Sequence, residues 1–180
     1  MADSTTELTV REKVVVITGA ARGIGQEFAR SLAMAGALVV AADINDCSAT
    51  LELIAAGNGK AIGVGLDVRS AESASDMTSA ATRAFGRVDA LINNAALYGA
   101  LRGGRFDAIG EADWDAAMAV NVKGIWNCCK AVVPVMRQAG GGSIINLASL
   151  AAPRVRGSSL AARSAARSRS SRRASRSSAT

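Results

Sequence analysis

Short apolar runs alternate along the chain with longer amphipathic segments, and glycines or asparagines separate many of them. Five runs rich in Val, Ile, Leu or Ala predict strands at residues 14–17, 37–42, 60–68, 88–92 and 143–148. The segments between them predict helices from residue 24 and over residues 47–56, 70–85 and 111–139. Long crossovers between strands require parallel pairing with right-handed connections. The pattern therefore predicts an α/β fold, a doubly wound parallel sheet.

A glycine-rich turn follows the first strand directly. Gly19, Gly23 and Gly25 have the spacing Gly-x-x-x-Gly-x-Gly. The helix that begins inside this turn is predicted to bury one face, formed by Ile24, Phe28, Leu32 and Ala35. Glycines let a backbone turn and approach a ligand, and the first helical N–H groups then face outward. This predicts a pyrophosphate site, the alternative being a glycine-rich turn without a ligand.

An acidic residue ends the second strand. Asp43 lies about 20 residues after the glycine turn, where a carboxylate can accept hydrogen bonds from the ribose of NAD. Its charge would repel the 2′-phosphate of NADP, so NAD is favoured. The alternative is that Asp43 caps the second helix, although Asn45 and Asp46 are better placed to do so.

Further polar side chains are expected at the same edge of the sheet. Asn93 and Asn94 follow the fourth strand, where open α/β sheets bind ligands, although an Asn-rich turn is the alternative. The fifth strand delivers Ser149 to this edge. Asn121 is a polar side chain on an otherwise apolar helical stripe, and burying an amide without partners costs about 1–3 kcal/mol. Asn121 therefore either bonds locally and kinks the helix or serves the site.

Charge divides the chain into two parts. The sequence has 21 Lys and Arg against 15 Asp and Glu, a net charge of +6. Residues 154–180 hold 8 of these arginines, with 9 Ser, 6 Ala and no acid, so residues 1–153 carry a net charge of −2. We expect an NAD-binding domain over residues 1–153 and a disordered tail over residues 154–180. The positive net charge of the whole chain therefore does not indicate that residues 1–153 bind nucleic acid.

Cysteine and histidine usage narrows the chemistry. The sequence has no His, which excludes His-based triads and most zinc sites, and no metal site is predicted. Its three cysteines, Cys47, Cys128 and Cys129, lack metal spacing, and the adjacent pair is poorly placed for a disulfide. No segment resembles a signal peptide or a membrane span. We expect a cytoplasmic protein without a membrane partner.

Taken together, five motifs resemble the short-chain dehydrogenase/reductase family over about residues 10–152. They are Thr18-Gly19-x-x-x-Gly23-Ile24-Gly25, Asp43, Asp67-Val68, Asn93-Asn94-Ala95-Ala96 and Gly142-Ser143-Ile144-Ile145-Asn146-x-x-Ser149. The resemblance implies a Rossmann fold that binds NAD. It also implies hydride transfer between the nicotinamide and a small-molecule carbonyl or secondary alcohol.

The resemblance implies a role for each matching residue. Cofactor-binding roles fall to Gly19, Arg22, Gly23, Ile24 and Gly25 at the phosphates, Asp43 at the adenosine ribose, Asp67 and Val68 beside adenine, and Asn93 and Ala95 beneath the cofactor. Catalytic roles fall to Asn121, which would anchor a proton-relay water, and to Ser149, which would orient the substrate oxygen. Ala96 stands where the family usually has glycine.

The chain departs from the family after Ser149. The family places a Tyr-x-x-x-Lys motif downstream, but Arg163 and Arg167 occupy the expected positions, and no Tyr follows Tyr98 and no Lys follows Lys130. A guanidinium stays protonated and cannot act as a general acid and base, an effect worth about 10²–10⁴ in rate. We therefore expect residual turnover at best.

The low-complexity tail suggests that the coding sequence leaves its ancestral frame, or was altered, shortly after Ser149. The fold would then be truncated after the fifth strand, whose exposed edge predicts weak solubility or aggregation. Homo-oligomers are common in the family, but they pack partly through a helix that the resemblance does not extend to, so no such assembly is predicted for this chain. The substrate, which the family recognises largely through the loop after the fourth strand and a later lid, is not specified by the sequence.

Three functions are consistent with these observations. The first is an NAD-dependent oxidoreductase of the family in truncated form. The second is a catalytically dead protein that still binds NAD. The third gives the Arg-Ser tail a role in binding RNA or acidic partners through phosphate contacts. The third is the weakest, because no aromatic side chains interleave with the arginines.

Overall fold

The computed structural model describes residues 9–98 and 106–148, and the strands in these ranges form one parallel sheet. The strands are β1 Val14–Thr18, β2 Leu38–Asp43, β3 Lys60–Gly65, β4 Ala90–Asn93 and β5 Ser143–Asn146. Their order is β3-β2-β1-β4-β5, and every neighbouring pair is parallel. The predicted doubly wound α/β fold is confirmed. The proposed tail, residues 154–180, lies outside the described residues.

Helices cover both faces of the sheet. They are α1 Gly23–Met34, α2 Ser48–Ala56, α3 Ala71–Phe85, α4 Glu111–Met118 and α5 Gly124–Gln138. A 3₁₀ turn covers Phe106–Ala108, and a π-helical turn, Ala119–Lys123, joins α4 to α5. α1 and α2 pack on one face, and α3 and α5 pack on the other. Within the described ranges, no helix is both long and apolar enough to cross a membrane.

β1 lies at the centre of the core. Its residues alternate between the two faces: Val14 and Val16 pack towards α3 and α5, whereas Val15 and Ile17 pack towards α1 and α2. All four are at most 2% exposed. Burial on both faces explains why the sequence here is continuously apolar, as is typical of a central parallel strand.

The register brings the carboxyl ends of the strands to one edge. Asp43 at the end of β2 is opposite Gly65, and Asn93 at the end of β4 is opposite Asn146. Because β1 pairs with both β2 and β4, the strand order reverses between β1 and β4. Open α/β sheets bind ligands at the carboxyl edge, in the crevice at such a reversal.

β3 is shorter than the run of residues 60–68 predicted. The last bond of the ladder runs from the Leu66 N–H to the Asp43 carbonyl, at 2.8 Å. The next N–H, that of Asp67, donates instead to the Ser73 hydroxyl at the start of α3, at 3.0 Å. Asp67 and Val68 therefore lie in a loop rather than at the end of a strand.

The predicted buried face of α1 is only partly correct. Phe28 and Leu32 are half-buried against the core, but Ile24 is 65% exposed. The buried positions are Gly25, Ala29 and Ala33, which are spaced four apart. These small residues let the helix approach the sheet closely, and that packing fixes which face is inward.

The third helix matches the prediction at both ends. Ser70 is the N-cap of α3, and its hydroxyl accepts a hydrogen bond from the Ser73 N–H at 3.1 Å. Gly86 ends the helix in a left-handed conformation, with φ of 80°. The predicted long helix, by contrast, is interrupted by the π-helical turn that contains Asn121.

Candidate functional site

The glycine turn leaves the N-terminus of α1 open. Arg22 is the N-cap; its backbone is extended and its side chain makes no capping hydrogen bond. Gly23 has φ of 62°, and a Cβ added there would meet no atom within 4 Å. The first N–H groups of a helix have no intrahelical partner, and there is open space beside Gly23. Phosphate binds to such helix N-termini in many proteins.

The other two glycines are required by packing. A Cβ on Gly25 would collide with the Gly19 carbonyl oxygen and the Asn94 amide. Gly19 has φ of 70°, and a Cβ there would lie 2.8 Å from the Ala95 Cα. The turn after β1 thus touches the loop after β4, at the point where the strand order reverses.

Thr18 and Asn94 join these two loops. The backbone N–H groups of Asn94 and Ala95 donate to the Thr18 hydroxyl at 3.1 and 3.0 Å. The Asn94 side chain in turn donates to the carbonyls of Thr18 and Gly19 at 2.9 and 3.0 Å. We call these four residues the Thr18–Asn94 clamp; it fixes the glycine turn to the end of β4.

Asp43 is a buried carboxylate anchored to the glycine turn. It is 8% exposed, and its Oδ2 accepts from the Ala21 N–H at 3.0 Å. Its Oδ1 accepts from the backbone and side chain of Asn45, at 2.9 and 3.0 Å. A carboxylate offers about four acceptor positions, so one further donor can be received.

α2 is capped neither by Asp43, which was the alternative to its ribose-binding role, nor by Asn45 or Asp46, which were the expected caps. Its N-cap is Cys47, which makes no side-chain capping bond. Asp46 instead accepts from the Ser48 hydroxyl at 2.9 Å. The hydrogen bond from the Ala21 N–H holds Asp43 against the glycine turn rather than against α2.

Asp67 is paired with a neighbouring cation. The Arg69 guanidinium donates to both carboxylate oxygens, at 2.6 Å from Nη2 and 2.9 Å from Nε. These hydrogen bonds lower the pKa of Asp67, so it stays ionised at neutral pH.

Val68 is 7% exposed, and its backbone N–H has no hydrogen-bond partner within the described ranges.

Asn93 is turned towards neighbouring elements. It is 3% exposed and donates to the Asn146 Oδ1 on β5 at 2.8 Å and to the Cys129 Sγ on α5 at 3.5 Å. Burial raises the pKa of the Cys129 thiol, which the hydrogen bond from Asn93 only partly offsets. The thiol therefore stays protonated near neutral pH and is not an activated nucleophile.

Asn121 holds the loop after β4. Its Oδ1 accepts from the Leu97 N–H at 2.7 Å, and its Nδ2 donates to the Leu97 carbonyl at 3.1 Å. The bond is thus not local, although Asn121 does lie in a π-helical turn, a feature frequent at functional sites. Tyr98 follows Leu97 and is 73% exposed. Ser149 lies outside the described residues.

Comparison with known proteins identifies the family. The sequence pattern described as "short chain dehydrogenase" matches residues 13–168, most of the 180-residue chain. The chain belongs to the short-chain dehydrogenase family. The resemblance expected from the five motifs is therefore confirmed.

Individual relatives agree with this assignment. This short-chain dehydrogenase is 40% identical over 154 residues to the short-chain reductase protein NovJ of Streptomyces niveus, covering 84% of this chain and 58% of the relative. It is 37% identical over 142 residues to D-threitol dehydrogenase of Mycolicibacterium smegmatis, covering 78% of this chain and 54% of that protein. The chain thus spans somewhat more than half the length of these relatives.

Solved structures share the fold. A crystal structure assigned to the short-chain dehydrogenase/reductases, from Burkholderia xenovorans, superposes with a TM-score of 0.80 at 34% identity and covers 87% of this chain and 64% of its own. Levodione reductase superposes with the same TM-score at 26% identity, covering 86% of this chain and 61% of its own.

The residues present fit the nicotinamide dinucleotide that short-chain dehydrogenases typically use. The Arg22 side chain does not cap α1, and there is open space beside Gly23. Asp43 retains one acceptor position, and Val68 presents an unpartnered N–H within the described ranges. By contrast, no group of three or more His, Cys, Asp or Glu in these ranges is arranged to hold a metal ion.

Sequence reasoning missed several residues of this short-chain dehydrogenase that shape the site. Thr18 and Asn94 belong to the sequence motifs, but the hydrogen bonds by which they join two loops are visible only in the fold. Ile44 follows Asp43 and is 65% exposed. Its apolar side chain directly after an acidic residue at a strand end was the signal that could have marked it as a site residue. Asn127, a buried amide on α5, gave no signal beyond its position on the helix.

Proposed function

We propose that this short-chain dehydrogenase is an NAD-dependent oxidoreductase. The observation that carries the proposal is the buried carboxylate of Asp43, held at the end of β2 by the Ala21 N–H of the glycine turn. A carboxylate fixed beside a phosphate-binding turn accepts hydrogen bonds from ribose hydroxyls and repels a 2′-phosphate. Preference for NAD over NADP follows from this charge.

In this proposal, residues of several loops contact different parts of the cofactor. The proposed phosphate contacts are Gly19, Arg22, Gly23, Ile24 and Gly25, and the proposed ribose ligand is Asp43. Val68 and Asp67 would flank the adenine, with the exposed Ile44 as a further apolar contact. Asn93 and Ala95 would lie beneath the cofactor. When bound, NAD accepts or supplies a hydride at its nicotinamide ring.

The proposed substrate is a small carbonyl compound or secondary alcohol. Two relatives, the short-chain reductase protein NovJ and D-threitol dehydrogenase, support that class. In this proposal Asn121 anchors a proton-relay water near the loop that it holds, and Ser149 orients the substrate oxygen. Three free cysteines support a reducing compartment, so we also propose a cytoplasmic location.

A second candidate is an NAD-binding protein without turnover. The observation that favours it is that Arg163 and Arg167 stand within the family match, where Tyr and Lys are expected. A guanidinium remains protonated and cannot exchange the proton of the substrate oxygen. This candidate keeps every proposed cofactor contact, so binding tests both candidates and turnover separates them.

The test is dinucleotide affinity measured by titration calorimetry on the full chain. We expect NAD to bind at least about tenfold more tightly than NADP, a difference of about 1.4 kcal/mol. Asp43→Ser should remove most of that preference, whereas Asp46→Ser, three residues away and exposed, should keep it. Equal or tighter binding of NADP by the unmodified chain would contradict the proposal, as would no binding of either dinucleotide.

Turnover is then assayed with the same preparation, by following NADH absorbance with a panel of secondary alcohols. Turnover would support the first candidate. Binding without turnover would support the second.

A further inference from the structure

Asn127 on α5 is a buried amide that contacts the loop after β3. It is 2% exposed, and its Nδ2 donates to the carbonyl oxygens of Val68 at 2.9 Å and Arg69 at 3.0 Å. Its Oδ1 is buried and has no hydrogen-bond partner in the part of the chain that the structure describes. One side of the amide is therefore fully used, and the other side is unpaired.

The unpaired oxygen indicates that the two donor bonds matter. An apolar side chain of similar shape would avoid burying an unpaired acceptor, which is destabilising. Reversing the amide would bring its oxygen against two carbonyl oxygens, so the orientation is fixed by the loop. The amide group therefore serves the loop that contains Val68 and Arg69, rather than the packing of α5.

A second contact holds the same loop against α5. Gly124 lies three residues before Asn127, and a Cβ added there would be 2.7 Å from Cγ2 of Val68 and 2.9 Å from its Cβ. No side chain fits between the helix and the loop at this point. Val68 is thus fixed by van der Waals contact at its side chain and by a hydrogen bond at its carbonyl.

What remains free on Val68 is the N–H. It has no partner among the described residues, and it belongs to the peptide directly before the carbonyl that Asn127 holds. A nucleobase edge presents ring-nitrogen acceptors that such a donor can bind. The orientation of this N–H depends on the backbone torsion angles of Val68, which the contacts with α5 restrain.

We propose that Asn127 is a positioning residue for the adenine end of the dinucleotide site. It fixes the peptide between Val68 and Arg69, and thereby the direction in which the Val68 N–H and the neighbouring Asp67 meet the base. This inference rests on the proposed binding of NAD. It assigns Asn127 an effect on base recognition that Asn121, which holds the loop after β4, does not share.

The test compares NAD with nicotinamide hypoxanthine dinucleotide, in which an oxygen replaces the 6-amino group of adenine. Titration calorimetry on the full chain gives the ratio of the two dissociation constants. We expect the unmodified chain to prefer NAD about tenfold, the size of one or two well-placed hydrogen bonds. Asn127→Leu keeps the approximate shape and removes both donor bonds, and it should reduce the preference to about twofold or less.

The matched control is Met136→Ala, also on α5 and also buried, at 4% exposed. It should lower the melting temperature but leave the NAD preference unchanged, because it lies beyond the loop contacts. Asn127→Ser is the second variant, used if Asn127→Leu does not fold, and it should lower the preference at least threefold, about 0.7 kcal/mol.

Two outcomes overturn the inference in distinguishable ways. A tenfold preference retained in a folded Asn127 variant would show that Asn127 does not position the base, while leaving NAD binding intact. Absence of binding of either dinucleotide by the unmodified chain would overturn the proposed function together with this inference.

Discussion

At the scale of single residues, the site depends on glycines, which have no side chain, and on the Asp43 carboxylate, which a hydrogen bond fixes in place. Gly25 and Gly19 allow two loops to touch, and Gly23 leaves open space before α1. Asp43 is fixed by the Ala21 N–H of the same turn. The glycine turn could be predicted because glycine spacing is a local feature of the sequence. The hydrogen bond that anchors Asp43 could not, because it joins residues 22 positions apart.

Gly25→Ala should destabilise the chain and remove dinucleotide binding. The new methyl group would collide with the Gly19 carbonyl oxygen, which is backbone and cannot rotate away. Overpacking of this kind costs about 1–3 kcal/mol, and relief would require the glycine turn to move. Thermal unfolding and NAD titration measure the two effects.

Gly57→Ala is the control for Gly25→Ala. Gly57 has no positive φ, and a Cβ there would make only ordinary contacts, the nearest at 3.5 Å from the Ile54 carbonyl oxygen. Its unfolding free energy should change by less than about 0.5 kcal/mol. If the two variants had equal stability and equal NAD affinity, the close packing described for Gly25 would be wrong.

At the scale of elements, the existence of each described strand was predicted correctly, whereas the end of β3 and the π-helical turn between α4 and α5 were not. β-branched runs such as that of β1 fit a buried parallel strand, so all five strands were found. The π-helical turn was missed because Asn121 is held by Leu97, 24 residues away. β3 ends early because the Asp67 N–H donates to the Ser73 hydroxyl instead of to β2. Such hydrogen bonds do not alter the hydrophobic periodicity from which strands are predicted.

β5 is the element on which self-association should depend. It pairs with β4 alone among the described strands, and Ile145 in its middle is 44% exposed. Exposed apolar edge strands pair with other chains, and a lysine on the edge opposes this. Ile145→Lys should therefore shift the chain from aggregates towards monomer in size-exclusion chromatography with light scattering.

Leu53→Lys is the matched control, because Leu53 on α2 is similarly exposed, at 46%, but is not in a strand. It should leave the distribution of aggregates nearly unchanged. Unmodified chain that elutes as a monomer at every concentration would contradict the prediction, as would equal effects of the two lysines.

At the scale of the whole molecule, the sheet gathers residues from distant parts of the sequence at one edge. Asn94 and Thr18 are 76 residues apart, and Asn127 and Val68 are 59 apart. Strand-end residues such as Asp43 could be predicted as neighbours, since parallel strands end at the same edge. The amides that hold the loops could not, because their partners are backbone atoms brought close only by packing.

Hydrogen–deuterium exchange of the full chain, with and without saturating NAD, tests most directly whether the dinucleotide binds at the carboxyl ends of the strands. We expect slower exchange in residues 19–25, 67–70 and 93–97, with no change in residues 57–60, which lie at the amino ends of the strands. Protection confined to other segments, or none at NAD concentrations that saturate binding, would contradict a dinucleotide site at the carboxyl edge.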